Sequence, residues 1–269
     1  MGYPNIIYGD YGHEKKTHSA APGGIPLGQL MVTPDGRKFR LAQAGSATAL
    51  TAGVVVSTTA AVTGHGAIAG SGLLASATTT YNLSGHTDVY LTTKSVAVTL
   101  DQYAGGLLNV QLSAGNAEAY KIKGNDSAAA SSICKFTLEP TDPLKVAFAA
   151  GSTGCSLRKN PYKDAIVHAA GTVIAGPMGV TPVAVSVNYY FWVQRSGPAS
   201  VRQAATVVTV GQAVMSSTAT AGSVTLMPQA TAGSISAGEL NAILSGVIGL
   251  ALEAPSASEA ALVDLTLER

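Results

Sequence analysis

Apolar residues recur at every second position along much of the chain. Val89 and Leu91, then Val96, Val98 and Leu100, then Leu108, Val110 and Leu112 lie on alternate positions. A two-residue period belongs to a strand with one buried face. After a turn at Gly115-Asn116, Tyr120-Lys121-Ile122-Lys123 repeats the pattern with its lysines outward. Gly28–Thr33 and Arg37–Leu41 flank Pro34-Asp35-Gly36. Proline pre-sets the first turn position and glycine supplies positive φ, so this segment predicts a hairpin. Ala52–Thr59 is β-branched at Val54, Val55, Val56, Thr58 and Thr59 and predicts a buried strand. Further strands are predicted at Ile133–Leu138, Leu144–Ala149, Ala165–His168, Val183–Gln194, Val207–Val210, Val224–Met227, Val247–Leu252 and Leu262–Leu267. Ser236-Ala237-Gly238-Glu239 forms a capping box, Leu240, Ile243 and Leu244 follow at helical spacing, and Gly246 stops the run. The fold class is therefore all-β, with mainly antiparallel sandwich or barrel-like lobes and at most one or two short helices.

Residues 1–27 read as an extended arm, because Pro4, Pro22 and Pro26 hold their neighbours extended. Tyr3, Ile6, Ile7, Tyr8 and Tyr11 make the arm too apolar for a disordered tail, and Lys15 and Lys16 add charge. An apolar arm with no core of its own docks either on another subunit or on its parent domain. Residues 28–202 form a main β lobe, and residues 203–269 a C-terminal β lobe with the short helix. Tyr189, Tyr190, Phe191 and Trp192 are the one aromatic cluster, read as the core of the main lobe. A ligand-stacking platform is the other reading.

Composition narrows the class. Charged residues are 12% of the chain, against about 25% in an ordinary globular protein. From Leu41 to Thr87, 47 residues pass without a Lys, Arg, Asp or Glu. Thr, Ser and Gly interrupt this stretch well short of the roughly 20 apolar residues a membrane-spanning helix needs. Such backbone is expected to lie against other protein: a shell, a sister subunit or the parent lobe. Residues 1–40 carry five basic and three acidic residues, or +2, whereas residues 203–268 carry five acids and no base, or −5. That asymmetry suits head-to-tail or arm-on-neighbour packing. No surface is basic enough for nucleic acid. Cys134 and Cys155 read as free and buried, without metal-ligand spacing. The first residues lack the pattern of an export signal or of myristoylation, which is consistent with assembly inside a cell.

Signals for chemistry are weak. Gly64-His65-Gly66-Ala67-Ile68-Ala69 fits a dinucleotide fingerprint, and Asp88 lies where a ribose-binding acid would stand. The Gly- and Thr-rich segment after it is a poor helix. His13, His18, His65, His86 and His168 are scattered. His86 and Asp88 share a strand face, yet no G-x-S-x-G elbow accompanies them. Asn82-Leu83-Ser84 and Asn125-Asp126-Ser127 are glycosylation sequons, which matter in a secreted eukaryotic protein alone. The sequence therefore assigns no catalytic, cofactor-binding or metal-binding residue.

Several runs resemble head proteins of tailed bacteriophages. They are Asp101-Gln-Tyr-Ala-Gly-Gly-Leu-Leu-Asn-Val, Ala119-Tyr-Lys-Ile-Lys-Gly-Asn125, Asn160-Pro-Tyr162, Gly179-Val-Thr-Pro-Val-Ala-Val, and Asn188-Tyr-Tyr-Phe-Trp192-Val-Gln-Arg-Ser-Gly197-Pro-Ala199. The close, Val210-Gly-Gln-Ala-Val, Ile248-Gly-Leu-Ala-Leu-Glu-Ala and Leu262-Val-Asp-Leu-Thr-Leu, is similar to the β-rich end of capsid decoration (cement) proteins. The resemblance spans about residues 28–269; the long aromatic arm departs from it. It implies a non-enzymatic virion protein on the capsid exterior, assembled in the bacterial cytoplasm. It also implies contact with the major capsid protein and with copies of itself, often as a trimer, and no cofactor, nucleic acid or membrane. A tail or head fibre component recognising a host glycan, through Tyr189–Trp192 or the neutral Thr/Ser surface, is the alternative.

Overall fold

The computed structural model describes residues 4–66, 73–75, 82–112, 117–170, 175–204, 208–227, 246–256 and 259–268. Their strands are β1 (Ile6–Tyr8), β2 (Leu30–Val32), β3 (Lys38–Gln43), β4 (Val55–Ser57), β5 (Leu73–Ala75), β6 (Asp88–Thr92), β7 (Leu107–Leu112), β8 (Ala119–Asn125) and β9 (Ile133–Leu138). They continue as β10 (Gly154–Arg158), β11 (Ile166–Val167), β12 (Pro177–Val180), β13 (Tyr190–Arg202), β14 (Ala213–Ser216), β15 (Val224–Leu226), β16 (Val247–Ala251) and β17 (Ala260–Thr266). Two 3-10 turns, His13–Lys15 and Pro22–Gly24, complete the elements. The all-β class is as the alternating pattern predicts. The capping box at 236–239 and the helix after it lie outside the described residues.

The chain divides into two units, residues 1–60 with 162–269, and residues 61–161. This differs from boundaries at 27/28 and 202/203. The arm enters the first unit through β1, which pairs in parallel with β2. Strand β17 pairs with β13 from Ser196 to Arg202, so residues on both sides of 202/203 share one sheet. Proline and glycine punctuation marks loops, but a domain boundary is fixed by ladders between distant segments, which punctuation does not report.

The first unit is an 11-stranded sheet with main order β1-β2-β3-β13-β17-β16-β14-β15, with β12 joining β13 to β4 and β11 pairing with β4. The predicted hairpin is β2–β3. Its turn places Gly36 at φ 83°, and Thr33 Oγ1 donates to Asp35 Oδ1 at 2.6 Å. Strand β13 is the spine: its first half pairs with β3 and its second with β17. Both faces of that first half are covered. Phe191 and Val193 join Val54, Val56 and Met178 in one core, while Trp192 packs with Met31, Phe39 and Leu41 in another. A strand buried on two sides reads as a continuous apolar run, as this one does.

Part of the neutral stretch finds its explanation here. Leu41, Ala42, Ala44, Leu50 and Val54–Ser57 are buried inside this unit. These residues pack on their parent sheet, so burial accounts for the want of charge at them, whereas Ser46–Ala49, Thr51 and Ala52 between them are exposed and equally neutral.

The second unit is a closed barrel in the order β10-β5-β6-β9-β8-β7. Along β8, Tyr120 and Ile122 point inward and Lys121 and Lys123 outward, following the sequence period. Val89, Leu91, Leu108, Val110, Phe136 and Leu157 fill the interior together with Cys134 and Cys155. Both thiols are free and buried. Burial raises their pKa to about 11 and about 12, so neither is a thiolate near neutrality. Val96–Leu100 is not a strand: Val98 makes an isolated bridge to Ala128, and Leu100 is exposed. Leu144–Ala149 is likewise a loop, although Leu144 and Phe148 still plug the core.

Candidate interaction surface

The arm is ordered on its parent sheet. The side-chain amide of Gln29 donates to the carbonyls of Pro4 and Asn5 at 2.8 and 2.9 Å. Ile7, Ile25 and Leu27 pack against the Met31–Phe39–Leu41–Trp192 core. His18 exchanges two backbone hydrogen bonds with Tyr190, at 2.9 and 2.7 Å. Glu14 is buried; it accepts from the backbone N–H of Gly12 at 2.7 Å and lies 3.5 Å from Arg37.

Alternation along β1 then decides which arm residues face out. Ile7 faces the core, whereas Ile6 is 39% and Tyr8 83% exposed. Tyr11 follows at 64%, and Lys15 and Lys16 are exposed. Tyr3 lies outside the described residues. Of the seven arm residues singled out by sequence, one is therefore an anchor and five form an outward rim. The arm sits on its own domain and still presents aromatic surface.

The aromatic cluster behaves differently. Phe191 is fully buried and Trp192 is 5% exposed, while Tyr189 and Tyr190 are half-buried against the same two cores. Fluorescence of Trp192, the chain's one tryptophan, is expected to be blue-shifted and resistant to an aqueous quencher. Red-shifted, readily quenched emission would contradict this placement.

Beside the arm lies a cavity of about 450 Å³. Glu14, Lys15 and Arg37 form one wall, and Pro198, Ser200 and Arg202 of β13 another. Arg37 is engaged by Asp35 at 2.7 Å as well as by Glu14. Lys15 and Arg202 are exposed and make no ion pair among the described residues. The sequence did not reveal this groove, because its walls come from segments some 180 residues apart that only the sheet brings together.

Of the residues weighed for chemistry, His65, Asp88, Asn82 and Asn125 are occupied structurally. His65 is buried in the barrel. Its Nε2 faces the carbonyl of Val96 at 3.0 Å, so Nε2 carries the proton and Nδ1 accepts from Tyr103 Oη at 2.7 Å. Burial lowers its pKa, favouring this neutral form. A phosphate-cradling loop would instead turn outward. Asp88 pairs with Lys135 at 3.3 Å and accepts from Thr137 at 3.0 Å, while His86 is exposed. Asn82 and Asn125 are buried, with their amides bound to backbone, so neither sequon offers a free side chain. Among the described residues no cluster of three or more His, Cys, Asp or Glu stands ready for a metal. No helix among them is long and apolar enough to cross a membrane.

Comparison with known proteins found no matching family model, no similar curated protein and no similar solved structure.

Proposed function

We propose that this protein is a non-enzymatic structural component of a virion, bound to the outside of a tailed-phage capsid, where it clamps neighbouring major capsid proteins. The observation that carries the reading is the pre-ordered aromatic rim of the arm. Tyr8 and Tyr11 are held outward on a segment already pinned to the sheet. Tyrosine is a favoured anchor at protein interfaces, and one held in place loses little freedom on docking. Strand β1 ends the main strand order, so its outer edge carries no strand among the described residues. A strand of the shell can pair there while the tyrosines bury against it. Several such contacts per assembly raise the effective concentration of each further one. Glycan recognition through Tyr189–Trp192 is not favoured, because Phe191 and Trp192 are interior and both tyrosines are half-buried.

The test is a double variant, Tyr8→Ser with Tyr11→Ser, mixed with purified capsid shells. Both side chains are exposed, so thermal unfolding should be unchanged. Shell affinity should fall at least tenfold, or about 1.4 kcal/mol. Unaltered occupancy of the shell would remove the arm from the attachment and this reading with it.

A further inference from the structure

We propose that the outer face of β13, β17 and β16 is a contact between copies of this chain, in which the basic groove of one copy receives the acidic, apolar end of β16 of another. The strand registers make this face one continuous strip. Pro198, Ser200 and Arg202 stand opposite Asp264, Leu262 and Ala260, and Leu250 stands opposite Asp264 in turn. Residues two apart share a face, and the alternate set, Ala199, Val201, Ala261, Val263 and Leu265, is the buried core side.

The two ends of the strip differ in character. At the β13 end, Arg202 and Lys15 flank the groove without partners among the described residues, over a floor of small side chains. Small side chains admit a backbone closely. At the β16 end, Leu250 is 44% and Leu252 41% exposed, and Glu253 follows, also exposed. Val210, 58% exposed, lies beside them, since the N–H of Gly211 donates to the Ala251 carbonyl at 2.8 Å. Scattered exposed apolar residues are ordinary, but three gathered at one strand end next to a carboxylate form a patch. Glu259, near the groove, is turned back to accept from the Ser256 N–H at 2.9 Å.

Groove and patch complement each other in charge and in shape of side chain, yet within one molecule β17 stands between them. Two strand spacings, about 10 Å, separate their backbones on a rigid sheet. A second copy meets both requirements at once, either by a two-fold exchange or by head-to-tail closure. The same polarity runs through the composition, +2 over residues 1–40 against −5 over residues 203–268.

This names the self-contact within the capsid reading and takes only its biological setting from it. The experiment is the solution mass of the purified full chain, without shells, by light scattering across a dilution series. The wild type is expected to exceed the mass of one copy. Arg202→Glu and Glu253→Arg should each weaken association by about tenfold or more, as for other interfacial charge pairs. An equimolar mixture of the two variants should associate more strongly than either variant alone, because each groove can then meet a patch of opposite charge. A wild type that stays a single copy, variants that keep its mass, or a mixture no heavier than the separate variants would each overturn the proposal. The Tyr8/Tyr11 variant should keep the wild-type mass, so failure of the shell reading and failure of this one are distinguishable.

Discussion

Phe136→Ala is expected to destabilise the barrel by about 3–5 kcal/mol, the range for emptying a buried aromatic site. The ring is fully buried and sits 6.2 Å from the Tyr103 ring, centroid to centroid. Its strand is paired on both sides, to Val89 of β6 and to Asn125 of β8. In a closed ring of strands neither neighbour can move in to fill the space, so the upper half of the range applies. For a unit of this size that corresponds to a fall in melting temperature of roughly 16 °C or more. Denaturation followed by far-ultraviolet circular dichroism measures it. Trp192 lies in the other unit, so its fluorescence separately reports whether the loss stays in the barrel. A change below about 1 kcal/mol would mean that the interior is not packed as described.

Glu268→Ala should cost about 2 kcal/mol by a different mechanism. The Glu268 carboxylate accepts from Arg40 Nε at 3.0 Å and from Arg195 Nε at 3.1 Å, and it contacts Arg40 Nη2. Arg40 also donates to the Gly28 carbonyl at 2.7 Å, and Arg195 to those of Leu267 and Met178. The cluster ties β3 and β13 to the residues that follow β17. Removing the carboxylate leaves two guanidiniums facing each other. A fully buried pair would lose about 3–5 kcal/mol, but the Arg40 side chain is 30% exposed and water reclaims part of the loss. Burial alone raises the pKa of Glu268; the hydrogen bonds and charges of Arg40, then Arg195, outweigh it and hold the pKa below its ordinary 4.5. The folded state thus favours the ionised form. Its contribution is complete above about pH 4.5 and is lost as pH falls through the lowered value. Unfolding free energies measured from pH 7 down to pH 3 should fall more steeply for the wild type than for Glu268→Gln. Parallel profiles would contradict the assignment.

Strand identity was legible where one face is wet and the other dry. Ile133–Leu138 matches β9, and Tyr120–Lys123 lies within β8, because alternation survives in both. The Pro-Asp-Gly turn likewise places the β2–β3 hairpin, since its chemistry is local. Legibility failed where local pattern and long-range pairing part company. Val96–Leu100 alternates yet is a loop with one isolated bridge, and Leu144 is buried without being in a strand. Ala213–Ser216 and Pro177–Val180 are strands that short or small residues disguise. Val183–Tyr189, read as the start of a strand, precedes β13, which runs on to Arg202 through Gly197 and Pro198, residues that ordinarily argue against a strand interior. The exposed tyrosines of the arm were found from composition. The groove was not, because Lys15 and Arg202 become neighbours only through the sheet.

The insertion of residues 61–161 between two halves of one sheet sets an order of events during synthesis. By the time Pro161 has emerged from the ribosome, every strand of the barrel is available. The sheet is then still without its spine: β3 waits for β13, and β13 for β17, both of which follow the barrel in the chain. Domains tend to fold as units while the chain grows. The barrel therefore matures first, and the Val- and Ala-rich segments of residues 38–57 remain uncovered until late, a window in which a nascent-chain chaperone has the most to protect.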